Sequence, residues 1–439
     1  MRILRLLPLV LLAGLLACNR LSSVPDPIEI ASPQPTQQIT KVDLTQAQKS
    51  YAAAGNRMAL QLLPILVKGE RNTVLSPLSI QYALGMTANG ASGETLSQLV
   101  KALGFADGDV EALNAFCNKL LRELPAVDLD VTLKLADALL VNEQYPLLPA
   151  FKETVEKTYY AAVDNMSFED SQKVAARIND WSARNTNGLI DKMLEAGDVS
   201  PEAMAYLMNA LYFKAQWSGT FKEELTSEDF FTPGGCVVYT TPFMHNSGQY
   251  NYAAMDGFRI LEVPYAGGMF AMYILLPEGE YVGDLPDDVP EKYTFSHLLR
   301  DLPSLDWQGM LQKMKPCPVK LSLPKFEILS SFLLNDALTR LGVELAFTDG
   351  AQFDRMFSDP QVQAHISKVI QKARIAVDEW GTEAAAVTVV EMVKNSGFFG
   401  EDVVDFNCSH PFAFFIAEKS SGVILFEGAL WNPAIGTEF

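Results

Sequence analysis

The stretch Asp378-Glu379-Trp380-Gly381-Thr382-Glu383-Ala384-Ala385-Ala386-Val387-Thr388 constrains this chain more than any other, because it is composed to occupy two places. An apolar, strand-like run over residues 369–377 leads into an acidic step, one glycine and a series of small side chains. Glycine opens backbone angles closed to other residues, and small side chains enter a packed sheet without the overpacking cost of large ones. At the strand period of two, Thr382, Ala384, Ala386 and Thr388 share one face, while Glu383 and Glu391 fall on the other. The tract is therefore able to bury one face as a strand without burying a carboxylate. Composition alone leaves an Ala-rich helical turn as the alternative.

What surrounds this hinge is large. A chain of 439 residues, 49% hydrophobic and 20% charged, has apolar material for a sizeable core, and neither linker nor repeat divides residues 45–439. One domain is expected there. The formal charge of -19 argues against nucleic-acid binding, which needs a basic face to displace counterions. It reads as a solvated acidic surface that keeps the protein soluble.

The N-terminus reads as an address. Arg2 and Arg5 precede an apolar run over residues 6–16, too short to span a bilayer and suited to the centre of a signal peptide, expected over residues 1–17. Leu15-Leu16-Ala17-Cys18 resembles the bacterial lipobox. That likeness implies a lipid on Cys18, an exported membrane-tethered protein and, since Asn19 is not the enterobacterial retention aspartate, an outer-membrane or cell-surface location. A signal peptide followed by a chance cysteine is the alternative. Residues 18–44, with Pro25, Pro27, Pro33 and Pro35 among Ser, Thr and Gln, are expected to form an extended tether. Cys117, Cys236, Cys317 and Cys408 show no CxxC or metal-ligand spacing. Export permits disulfides, but buried free thiols are the expectation, and no cofactor or metal is implied.

Hydrophobic periodicity predicts helices over residues 49–68, 79–86, 95–103, 110–124, 149–159 and 171–186. It predicts strands over 132–140, 204–213, 258–264, 269–277, 319–326, 369–377, 412–417 and 422–430. Helices early and sheet late make an α+β pattern. The chain holds no GxSxG elbow, HExxH, GxxxxGK[ST] loop or GxGxxG turn. His245, His297, His365 and His410 are its only imidazoles, and His410, set before Pro411-Phe412 at a strand start, reads as structural. Nothing points to an enzyme, although triads assemble from distant positions.

The hinge resembles that of the serpins, and further segments match the family in order. These are Asn72-Thr73-Val74-Leu75-Ser76-Pro77-Leu78-Ser79-Ile80, Gly90-Ala91-Ser92-Gly93-Glu94-Thr95, Ile178-Asn179-Asp180-Trp181, and Asn209-Ala210-Leu211-Tyr212-Phe213-Lys214-Ala215-Gln216-Trp217. Leu323-Pro324-Lys325-Phe326, Leu341-Gly342-Val343, His410-Pro411-Phe412, Phe426-Glu427-Gly428 and Asn432-Pro433 complete the series. The resemblance implies three β-sheets, about nine helices and an exposed reactive-centre loop at about residues 379–405. It implies a monomeric inhibitor of serine proteases, extending to some cysteine proteases. Cleavage of the loop would let the hinge insert into the main sheet while the protease is still acyl-linked. Serpins are themselves the established example of such strand addition. About a dozen new ladder bonds at roughly 0.5–1.5 kcal/mol each give a driving force on the order of 10 kcal/mol, so the uncleaved fold should be metastable.

The resemblance also assigns residues. Glu379, Gly381, Thr382, Glu383, Ala384, Ala385 and Ala386 form the hinge. Counting from Glu379 as in most inhibitory serpins puts Asn395 before the cleaved bond, with Ser396 after it. A count one residue shorter puts Lys394 there, and Lys394-Asn395 is favoured because trypsin-like pockets pair a cation with a buried carboxylate. Phe398 or Phe399 would suit a chymotrypsin-like protease. Ser76, Ser79, Asn209 and Gln371 match the shutter beneath the main sheet, with glutamine where many serpins have histidine. Trp217, Lys325 and Glu379 match the breach above it, where Glu379 is expected to pair with Lys325. Val387 stands where the family prefers a smaller residue. A non-inhibitory serpin with a binding or structural role is the alternative; such relatives usually carry charged or bulky hinge residues, unlike Thr382 and Ala384.

Overall fold

A computed structural model describes residues 35, 37–105, 109–234, 237–279, 293–359, 361–382 and 403–434. The signal peptide, Cys18, most of the tether and Cys236 lie outside the described residues. So do Glu383, Ala384, Ala385, Ala386, Val387, Lys394, Asn395 and Ser396.

Nine α-helices stand among the described residues. They are α1 (Gln46–Leu66), α2 (Pro77–Gly90), α3 (Gly93–Ala102), α4 (Val110–Glu123), α5 (Pro149–Thr158), α6 (Ser171–Asn185), α7 (Phe295–Asp301), α8 (Trp307–Lys313) and α9 (Asn335–Arg340). Local chemistry starts several of them. Thr45 and Gln48 form a capping box on α1, Ser76 caps α2 ahead of Pro77, and Asp170 caps α6. Helix α2 is buried along almost its whole length, as its apolar composition on every side requires.

The strands are β1 (Thr73–Leu75), β2 (Thr132–Asn142), β3 (Ala162–Met166), β4 (Ala205–Gln216), β5 (Ser227–Gly234), β6 (Val237–Ala254), β7 (Phe258–Pro264) and β8 (Phe270–Pro277). Then come β9 (Lys315–Pro324), β10 (Phe326–Leu333), β11 (Ile370–Val377), β12 (Gly381–Thr382), β13 (Val404–Asn407), β14 (Phe412–Glu418) and β15 (Ile424–Leu430). The main sheet has the order β10-β11-β12-β4-β2-β3. The other ladders form one nine-stranded sheet that runs through β6, whose residues 243–252 pair with β9 and 252–254 with β7. On one side lie β1, β15, β14, β8 and β7; on the other β5, β9 and β13. This is the α+β architecture that the sequence leads one to expect.

Two cores flank the main sheet because its strands alternate. Ala136, Ala138 and Leu140 of β2 face Val174, Ile178 and Trp181 of α6 on the outer side. Leu133, Leu135, Leu139 and Val141 face inward, into the cluster that holds α1, α2 and the buried strands β8, β14 and β15. The tether ends sooner than the expected residue 44. Val42 (2% exposed) and Leu44 are buried, and Ile39 N–H donates to the Ala126 carbonyl, because three apolar residues recovered a place on the core. Cys117 and Cys408 are buried free thiols, and Cys317 is a half-buried free thiol.

Candidate functional site

The hinge is anchored where β11 ends. Asp378 Oδ1 accepts from the backbone N–H of Trp380 (2.9 Å) and of Gly381 (3.2 Å), and Asp378 N–H donates to the Gly381 carbonyl at 3.0 Å. This short-range capture turns the chain back on itself. Burial pushes the Asp378 carboxyl above its ordinary value, against the pull of those two N–H groups and of Lys325. Gly381 is required by space, since a Cβ there would lie 2.0 Å from the Ala215 carbonyl oxygen. That close approach lets Gly381 and Thr382 pair with Gln216 and Ala215 of β4, while Thr382 also pairs with Val377 of β11. The first hinge residues thus stand as a strand between β11 and β4.

Aromatic packing fixes this entry. Thr382 is buried, and its hydroxyl lies 2.5 Å from that of Tyr265. Tyr265 stacks on Trp217 with ring centroids 4.5 Å apart. The Trp217 indole N–H donates to the Asp378 carbonyl at 2.9 Å, and its backbone N–H donates to that of Trp380 at 2.9 Å. Phe221 N–H donates to the Glu379 carbonyl at 3.1 Å. One tryptophan therefore holds both the turn and the residue that enters the sheet.

Lys325, between β9 and β10, places its ammonium 2.8 Å from Glu379 Oε2, and the Thr226 hydroxyl donates to Oε1 at 2.8 Å. The Glu379 side chain is only 6% exposed against 38% for Lys325. Burial alone would raise the Glu379 carboxyl, but Lys325, its own backbone N–H and Thr226 outweigh it and hold the group below its ordinary value.

Deeper under the sheet, Ser76 Oγ caps Ser79 N–H at 3.2 Å and donates to the Leu425 carbonyl at 2.7 Å. Gln371 bonds the Ser76 backbone in both senses, accepting from its N–H (3.2 Å) and donating to its carbonyl (2.8 Å). Asn209 is directed elsewhere: its amide donates to Asp137 Oδ1 at 2.5 Å. A cavity of about 140 Å³ lies here, lined by Ser79, Leu139, Leu207, Asn209, Ile370 and Gln371 among others. Below Thr382, β11 and β4 share no ladder among the described residues.

Three members of this constellation carry little or no mark in the sequence. Asp137 leaves a signal, a carboxylate at an inward position of the apolar run 132–140. Thr226 and Tyr265 leave none, because they stand in connections that only the fold brings to the hinge. The histidines occupy plain positions. His245 lies 3.1 Å from Ser227 Oγ and 2.9 Å from Ser322 Oγ, and His410 Nε2 bonds the Pro277 carbonyl at 2.8 Å.

The same fold recurs in known proteins. Serpin-Z2A of Triticum aestivum is 34% identical over 372 residues, covering 82% of this chain and 90% of its own. The structure of Arabidopsis AtSerpin1 in its native stressed conformation superposes with a TM-score of 0.75 at 28% identity, covering 89% of this chain and 100% of that one. A cleaved Serpin 42Da gives a TM-score of 0.76 at 26% identity, covering 88% and 99%. The family model described as serpin (serine protease inhibitor) matches residues 53–433, and the chain belongs to the serpin family.

Proposed function

We propose that this protein inhibits serine endopeptidases by suicide cleavage of its reactive-centre loop. The observation that carries the reading is Thr382, seated in ladder between β11 and β4 at the entry to a main sheet in which, among the described residues, those two strands are unpaired with each other below it. The residues that follow it, Glu383, Ala384, Ala385 and Ala386, are small or outward-facing at strand period and suit further entry. In the reading, the protease's serine oxygen joins the Lys394 carbonyl carbon while the bond to the Asn395 nitrogen breaks. The freed arm then adds residues to β12, with small side chains on the core side, and carries the acyl-linked enzyme along the sheet. The Lys325–Glu379 pair and the Trp217 contacts hold the entry closed to further insertion until cleavage frees the arm. Extension of the targets to cysteine proteases, a monomeric state and a lipid at Cys18 that tethers the protein to an outer membrane belong to the same proposal.

Incubation with trypsin tests it. The expected product is a covalent adduct that survives denaturing electrophoresis, with a released C-terminal fragment beginning at Asn395, or at Ser396 if cleavage follows Asn395. Digestion to fragments without any adduct, across trypsin-like and chymotrypsin-like enzymes, would reject inhibition and leave a serpin fold with a binding or structural role.

A further inference from the structure

The resemblance gives Asn209 a place in the shutter but gives no role to the residue opposite it. Asp137 lies on the inner face of β2, alternating with Leu135 and Leu139, in direct register with Asn209 on β4. It is 3% exposed. One carboxyl oxygen accepts from the Asn209 amide, and the other meets no donor among the described residues. Asn209 Oδ1 and the Tyr82 hydroxyl are likewise buried without a partner among the described residues. The titratable groups facing Asp137 are Tyr82 from α2, Cys117 from α4 and Tyr159 at the end of α5, all buried. Each is an acid that stays neutral here, with Cys117 pushed up to about 12 by burial. Among the described residues, no cation is one of the groups that act on Asp137. The charged lining of the neighbouring cavity, Glu202, His365 and Lys368, is exposed.

We propose that Asp137 is a proton-dependent latch of the main sheet: its neutral carboxyl joins the β2–β4 block to the core over α2, and its ionisation loosens that block from β11. Against three unpartnered oxygens, Asp137 Oδ2, Asn209 Oδ1 and the Tyr82 hydroxyl, the phenol O–H is a single donor, and a protonated carboxyl supplies a second. A carboxylate would stand in the core with one hydrogen bond and no counter-charge, a state that burial penalises and that opening of the sheet to water relieves. Burial pushes the group up to about 7, opposed by the Asn209 amide, so the latch works around neutrality. A raised carboxyl binds its extra proton only in the closed form. The closed sheet is therefore favoured most at or below the ordinary carboxylate range, loses that advantage as pH rises to about 7, and changes no further above it. Gln371 has no proton to lose, which leaves Asp137 as the titrating member of the polar cluster under the sheet.

The link to loop uptake rests on the inhibitory reading; the effect on the uncleaved protein does not. Thermal midpoints and rates of spontaneous polymerisation of the full chain, at about pH 5.5 and about pH 8.5, test the latch in wild type and Asp137→Asn. The midpoint of the wild type should fall with pH by several degrees more than that of the variant, and its polymerisation should accelerate roughly tenfold more. Histidines and net charge act alike in both, so equal pH slopes would overturn the proposal. Should Asp137→Asn not fold, infrared spectroscopy of the wild type decides: one protonated-acid carbonyl band must vanish between about pH 6 and about pH 8 while that of buried Glu427 persists. No vanishing band would overturn it equally. A pH slope that Asp137→Asn abolishes in a protein that traps no protease would sink the inhibitory reading and keep the latch.

Discussion

At the residue scale, the hinge depends on contacts that single substitutions remove. Gly381→Val sets a branched side chain against the Ala215 carbonyl, whose oxygen would lie only 2.0 Å from the new Cβ, and should expel β12 from the sheet. Its expected signature is a larger share of cleaved product per adduct on a denaturing gel. Thr382→Arg should do the same by setting an unpaired cation where the hydroxyl meets Tyr265, a burial that costs several kcal/mol. Lys325→Ala leaves the Glu379 carboxylate buried with Thr226 as its remaining side-chain donor, which should cost about 1–3 kcal/mol in the uncleaved protein. Glu379 has the opposite pH sign to Asp137. Its carboxyl is held low, so its contribution is present above the ordinary carboxylate value and is lost as pH falls through the depressed one. The stability gap between wild type and Glu379→Gln in urea unfolding should therefore close in acid.

At the scale of elements, the main sheet is two blocks that β12 begins to join. One is β10 with β11, the other β4 with β2 and β3. Cleavage anywhere in residues 389–399 by a non-target protease should free the hinge arm to extend β12. With on the order of 10 kcal/mol released, calorimetry should show the midpoint rising by tens of degrees. An unchanged midpoint would rule out insertion. Glu379→Lys should instead drive the uncleaved protein toward polymers visible on native gels, because it replaces attraction with repulsion beside Lys325 at the mouth of the sheet.

For the whole molecule, the proposed address and the inhibitory body are separable. Ile39, Val42 and Leu44 already pack on the core, so the tether proposed to join a lipid at Cys18 to the body is shorter than composition suggests. The full chain should partition with membranes, and Cys18→Ser should release it while protease trapping is unchanged. Equal membrane recovery of both forms would remove the lipid anchor without touching the inhibitor.

The sequence by itself determined six helices to within a few residues, because caps, prolines and apolar periods act over one or two turns. It determined β7, β8, β14 and β15 for the same reason, as buried runs that carry their own signal. It did not disclose β6, whose His245-Asn246-Ser247-Gly248-Gln249 is poor in strand-favouring residues and becomes a strand through its ladder with β9. Nor did it disclose the short helices α7, α8 and α9, which are too brief to show a period. Tertiary structure alone decided that Gln371 bonds the Ser76 backbone, that Asn209 turns to Asp137, and that Tyr265 meets Thr382. These partners stand far apart in the chain and meet only through sheet register. Burial at the meeting point, rather than residue type, then sets whether a carboxyl such as Asp137 holds its proton.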